Sequence, residues 1–340
     1  MTHLELACIC LLGCLPVMAG AQTEKLPDGS RFLDLDGRKV YSRQWGEVRE
    51  GPSVILLSGP TDHWHSDSGW FALLAPLLAG DYRTITIDRP GGTWSEPVAE
   101  PGYSVFGESL GAILEGLDVQ DYVLVSFASS NLAVNSFLAR QQQRPGLQGI
   151  VLIDPDTLIP ETVAFYKEFT GPFQDREAVR DYVLAGKYAE RARQINDREM
   201  SEVRAMVPER YQDRVDWSYL EQVFALRLEP QHIAHRFAEV AGYNRDLDTA
   251  LQQPLPGNIP LVIIDSDFES RAIALEPDKP ELAKWREASA TWYQSLVSEA
   301  DCGHYLPLDS DEHLVMMAEP DVVRKAVSLV LDCGPDRKGR

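Results

Sequence analysis

Residues 122–142 read YVLVSFASSNLAVNSFLARQQ. An apolar run ends at Ser126, small residues follow, and a helical spacing of apolar side chains then begins. A buried strand, a tight turn and a helix in that order form one βα unit. Its neighbours repeat the arrangement. SVILLSG (53–59) is a continuous apolar run, the pattern of a strand covered on both faces, and YRTITID (82–88) and GIVLIDP (149–155) are two more. GWFALLAPLLAG (69–80) and SVFGESLGAILEGL (104–117) lie between them with helical spacing. RFLDLDGRKVYSRQWGE (31–47) alternates around Asp36-Gly37 and predicts a hairpin ahead of them.

This alternation predicts an α/β fold, a mostly parallel sheet with helices on both faces. It breaks at Asp156, where about 100 residues of helical periodicity begin. IPLVIID (259–265) resumes the strand pattern. A helix ending near Gln294, a last strand at SLVSEAD and a last helix at DVVRKAVSLVLD complete the reading. The expected organisation is a core of residues 22–155 and 259–333, with a helical cap, residues 156–258, over the strands' carboxyl ends.

The turn Ser126-Phe127-Ala128-Ser129-Ser130 has the shape of a nucleophile elbow, which needs small residues two before and two after its apex. Ser126 and Ser130 satisfy this only if Ala128 is the apex. Sliding the apex to Ser129 would put Phe127 and Asn131 at the crowded positions. Ala128 is therefore expected at the apex, held at φ > 0.

VLVSFASSNLAVNSFLARQQ resembles the elbow of the α/β-hydrolase superfamily, ITIDRPGGTWSE its segment after the fourth strand, and DCGHYLPLD the turn carrying its catalytic histidine. The resemblance covers residues 31–332. It implies a capped, single-domain, esterase-like protein whose triad runs nucleophile, acid, histidine along the chain. His304 matches the family histidine. Asp267 is the first choice of acid, followed by Asp265 and then Glu269. Asp154 occupies the site that some relatives use instead. Ala128, at the nucleophile position, has neither a proton to give nor a lone pair to attack with. Ser129 supplies an oxyanion N–H, and Ser95, Ser129 and Ser130 are candidate substitute nucleophiles. In the loop Leu57-Ser58-Gly59-Pro60, Pro60 lacks the N–H that a second oxyanion donor requires, unless Thr61 takes that place. Gly59, Pro60 and Phe127 are expected to line the substrate pocket.

Other histidines invite a metal reading. His63-Trp64-His65-Ser66-Asp67, with Asp62, imitates a metallo-hydrolase motif but lacks the adjoining histidine, so these residues are expected at a pocket mouth or in solvent. His232 and His235 read as a solvated helical face. No metal and no cofactor is expected.

The chain's 340 residues carry 32 Lys and Arg against 52 Asp and Glu, a net charge of −20. With no basic run, nucleic-acid binding is excluded. No internal apolar run is long enough to span a bilayer. At the N-terminus, Leu6 to Met18 is a short apolar stretch before Ala19-Gly20-Ala21, the pattern of an export signal (residues 1–21) cleaved before Gln22. Leu11-Leu12-Gly13-Cys14 also resembles a lipobox, which would anchor the protein by lipid instead. The remaining cysteines, Cys302 and Cys333, are expected unbonded, because a helix of about 13 residues, roughly 20 Å, separates Cys333 from the turn before it.

Three functions fit these residues. The favoured one is an exported hydrolase-like protein that binds a small, largely apolar ligand or uses a histidine and an acid for non-covalent acid–base chemistry. The alternatives are an ester hydrolase with a substitute serine or an introduced alanine, and an interaction module with a vestigial pocket.

Overall fold

Every residue of the central strand β5 (Tyr122–Phe127) is buried, as its unbroken apolar character requires. The computed structural model describes residues 25–48, 50–60, 67–141 and 145–333. The expected export segment lies outside them, as do Thr61, Asp62, His63 and His65. β5 sits in an eight-stranded sheet of order β1-β2-β4-β3-β5-β6-β7-β8, with β1 Ser30–Leu35, β2 Arg38–Trp45, β3 Ser53–Leu57, β4 Thr84–Ile87, β6 Leu147–Ile153, β7 Leu261–Asp265 and β8 Gly303–Pro307. β1 and β2 form the antiparallel hairpin, turning through Asp36 and Gly37 at φ 53° and 79°. β2 joins β4 antiparallel, and β3 to β8 run parallel.

Alternation along the parallel strands divides the core in two. Val54, Leu56, Val123, Val125, Val151, Ile153, Val262 and Ile264 face one side with α1 (Leu74–Leu78). Ile55, Leu57, Leu124, Ile150, Leu152 and Ile263 face the other, with α2 (Tyr103–Gly116) and α3 (Ser130–Arg140). Each such side chain contributes about 1.5–3 kcal/mol on burial. Five helices lie between β6 and β7: α4 Pro160–Phe169, α5 Arg176–Leu184, α6 Ala189–Met206, α7 Trp217–Leu226 and α8 Pro230–Leu251. After β7 come α9 Glu269–Leu275, α10 Pro280–Glu299, α11 Val315–Ala318 and α12 Pro320–Asp332.

Two expectations fail here. SLVSEAD is not the last strand. Residues 295–299 finish α10, and the strand is β8, a half-buried edge strand beginning at Gly303. Cys302 and Cys333 are bonded, with Cα atoms 5.9 Å apart. The 13-residue length of α12 is what brings them together. β8 leads to the carboxyl ends of the strands, and α12, packed on β6 and β7, carries the chain back to the amino ends, where Cys302 waits just before β8.

Candidate active site

Ala128 is held at φ 48° between β5 and α3, and its N–H donates to Ile153 O at 2.9 Å. The crowding around it explains the small residues on either side. Ser126 and Ser130 are fully buried with their hydroxyls 2.6 Å apart, and Ser130 Oγ lies 2.9 Å from Leu57 O and 2.8 Å from Phe127 O. A Cβ on Gly59 would stand 2.5 Å from Phe127 O and 2.7 Å from Ser129 N, so only glycine lets the β3 loop approach the apex. The sheet order reverses between β3 and β5, and the apex lies at the carboxyl ends of those strands, where open α/β sheets place ligands.

A cavity of about 520 Å³ opens over the apex. Its wall includes Pro60, Ala128 and Ser129 from the core, Asp154 and Asp156 after β6, and His313 between β8 and α11. Residues 236, 239, 240 and 243 of α8, spaced i, i+3, i+4 and i+7, also face it. Aromatic rings from Tyr103, Tyr166, Phe169, Phe173, Tyr188, Phe237, Phe268 and Trp285 make most of the remainder.

Among the described residues, the histidine of this cavity is His313. Its Nε2 lies 4.0 Å from Asp154 Oδ2, and its ring is stacked on Phe268 (centroids 4.0 Å apart, planes 7° apart) and packed against Phe127. Asp154, at φ 45°, is fixed from β7: Ser266 N donates to Oδ1 at 2.7 Å and Ser266 Oγ to Oδ2 at 2.6 Å. Burial pushes its carboxyl up to about 6, while the His313 imidazole and the Ser266 donors pull the other way. Across the cavity the Tyr243 hydroxyl donates to Asp156 Oδ2. Ser129 Oγ lies 3.3 Å from the Tyr243 oxygen, whose proton is thus engaged, so the serine is the donor. Burial raises the Asp156 carboxyl too, against those hydroxyl donors.

The expected triad partners are elsewhere. His304 pairs with Val262 in the amino-terminal half of β8, its Nε2 3.8 Å from both disulfide sulfurs. A residue near the start of a parallel strand cannot reach a site at the strand ends. Asp267 is bound by Arg286 Nε at 2.5 Å and by Ser270, and Arg286 also holds Asp265 and Glu269. That guanidinium, not an imidazole, is the partner of all three acids. Ser95 Oγ bonds Tyr41 N and Asp88 O, a structural link between β2 and the end of β4. Ser130 is spent in the turn. Pro60 lines the cavity, whereas Gly59 and Phe127 shape the apex and the His313 contact from behind.

The histidines of α8 are not solvated. His232 Nδ1 lies 3.3 Å from Gly91 O and His235 Nε2 2.7 Å from Pro90 O, so both fasten α8 to the loop after β4, and burial lowers the His235 pKa. Asp67 is likewise buried rather than at a mouth or in solvent, paired with Arg89 at 3.1 Å and Arg236 at 3.5 Å, while Arg89 also binds Glu239 at 2.7 Å. Cys302, His304 and Cys333 are the one described cluster with metal-ligand spacing, and its sulfurs are bonded to each other.

The sequence profile of the Alpha/beta hydrolase family matches residues 54–318, and the chain belongs to that family. A solved α/beta hydrolase fold protein from Burkholderia ambifaria is 19% identical, with a TM-score of 0.56 over 89% of this chain and 98% of that one. Bromoperoxidase from Bacillus anthracis is similar at 16% identity and TM-score 0.56, over 89% and 99% of the two chains. Among curated proteins, uncharacterized hydrolase YNR064C of Saccharomyces cerevisiae is 32% identical over 94 residues, which is 27% of this chain. That match spans 31% of the yeast protein's length. No described helix is long and apolar enough to cross a membrane.

Proposed function

We propose that the protein is an exported member of the family that works without a covalent intermediate, using His313 and Asp154 as an acid–base couple on a small, largely apolar ligand. The observation that carries this reading is the apex itself: the strained elbow is retained around Ala128, and the side chain it presents to the cavity is a methyl group. Asp154, 4.0 Å from the imidazole, stabilises its protonated form by charge, as an acid does in a triad. With no serine oxygen at the apex to deprotonate, the base is available for a ligand C–H or O–H or for a bound water. Ser129 N–H is positioned to stabilise developing negative charge, and Pro60 adds no second donor. The wall, nearly half of whose residues are aromatic, favours an apolar body. Export is supported by the small-residue cleavage pattern at Ala19–Ala21 and by the disulfide, which oxidising compartments preserve.

The reading is tested by incubating the protein in D2O with a panel of small ketones, esters and phenols, following solvent deuterium incorporation by mass spectrometry, and labelling in parallel with a serine-reactive fluorophosphonate. Deuterium incorporation or hydration that His313→Ala abolishes, with no fluorophosphonate adduct, is expected. A fluorophosphonate adduct on Ser129 would overturn the reading in favour of an active serine hydrolase.

A further inference from the structure

We propose that the cavity selects a small organic cation, an ammonium group carried on an apolar body, and that Asp156 is the residue that recognises it. This rests on the cavity being the ligand site of the proposed function and names the class of ligand it takes.

The cavity is polarised along its length. Arg236 and Tyr243 are seven residues apart on α8, about 10 Å along the helix axis. At the Arg236 end the charges are matched: Asp67 pairs with both Arg236 and Arg89, and Arg89 with Glu239. An anionic ligand placed there would meet the Glu239 carboxylate in the same wall, beside an Arg236 guanidinium already paired with Asp67 behind it. At the Tyr243 end stand Asp154 and Asp156. Asp154 is committed to Ser266 and His313. Asp156 faces the cavity with the Tyr243 and Ser129 hydroxyls as partners, and its nearby positive charge is the His313 imidazole, which it shares with Asp154. Among the described residues no Lys or Arg pairs with Asp156, and Arg236 is the only Lys or Arg in the cavity wall.

A half-buried carboxylate in a cavity wall, held by hydroxyl donors and sharing one imidazole with Asp154, is short of positive charge, and desolvation shifts the balance toward its neutral form until a cation arrives. The surroundings supply the rest of an ammonium site. The rings of Tyr103, Tyr166, Tyr243, Phe268 and Trp285 line the same cavity, and aromatic faces attract cations most strongly where water is excluded. The net charge of −20 would also raise the local concentration of cations around the molecule. A neutral ligand uses the apolar wall but leaves Asp156 unanswered.

The test compares three probes of similar size: benzyltrimethylammonium, its uncharged carbon isostere neopentylbenzene, and the anion phenylacetate. Affinity is read by quenching of tryptophan fluorescence, and cavity occupancy by the NMR shifts of the His313 ring. The cation is expected to bind at least about tenfold more tightly than the isostere, with phenylacetate weaker than either. Asp156→Asn, nearly isosteric, is expected to reduce the cation's advantage to threefold or less while leaving the isostere's affinity unchanged. The wild-type comparison decides the matter even if that variant fails to fold. If the isostere or phenylacetate moves the His313 signals and binds as tightly as the cation, the cation proposal is overturned and the ligand cavity stands. If no probe moves those signals, both fall.

Discussion

Replacing Ala128 by serine should turn the protein into an esterase. The new hydroxyl projects from a residue that already lines the cavity, so it enters open space rather than the packed interior. The backbone at φ 48° is that of an elbow, so no rearrangement is needed to expose the oxygen. His313 and Asp154 would supply base and orienting acid. A complete triad is worth about 10⁶ in kcat where triads have been dismantled. The second oxyanion donor, which Pro60 cannot provide, is worth about 10²–10³ of that. The expected gain over the Ala128 protein is therefore about 10³–10⁴-fold. p-Nitrophenyl ester hydrolysis measures it, with a burst of nitrophenol marking the acyl-enzyme. The gain should vanish in Ala128→Ser/His313→Ala and persist in Ala128→Ser/His304→Ala. No gain, or a gain that survives loss of His313 but not of His304, would refute the assignment of the couple.

Ala128→Gly should leave stability within about 1 kcal/mol. Relief of the left-handed conformation, about 1–2 kcal/mol, offsets the lost methyl burial and the freer unfolded chain, about 0.8 and 0.4–1 kcal/mol. Ala133→Gly, in the buried interior of α3, lacks that relief and should lose about 1–2 kcal/mol in the same urea titration. Glu269 tests a buried acid. Burial pushes its carboxyl from 4.5 up to about 7, with the Arg286 guanidinium 3.7 Å away as its cation partner. The folded state then binds the proton more tightly than the unfolded one. This contribution is complete below about pH 4.5 and is lost as pH rises toward 7. Glu269→Gln should therefore gain roughly 3 kcal/mol relative to wild type between pH 4 and pH 8, read from urea midpoints at each pH. Replacing Cys302 and Cys333 by serine opens a link between residues 31 apart and should cost about 3–4 kcal/mol, measured by denaturation.

The fold was legible because its buried strands are unbroken apolar runs and its hairpin turns on Asp36-Gly37, signals that depend only on local sequence. The elbow was legible because crowding restricts which residues flank the apex. The histidine was misplaced for an equally physical reason. β8 is a half-buried edge strand, GHYLP, bounded by glycine and proline, and its apolar signal is weaker than that of the last turns of α10. Reading the strand too early put His304 at its carboxyl end. Once β8 is located, a histidine must follow Pro307 to reach the cavity, and His313 does so. Asp154 was within reach as the alternative acid, but the choice against Asp267 depends on Arg286, which approaches from α10 across space. The disulfide is not legible in helix length alone, because the length of α12 equals the return journey along the sheet. The α8 residues at 236, 239, 240 and 243 had a visible helical period, but no local pattern says which face of a helix lines a cavity.

The apex has a genetic consequence. Alanine and serine codons of the GCN and TCN type differ at one base, and the turn around Ala128 is held by Ser126, Ser130 and Gly59 whichever residue occupies its tip. If the proposed function and the Ala128→Ser prediction both hold, a single point mutation separates covalent from non-covalent chemistry here, with no refolded intermediate for selection to remove.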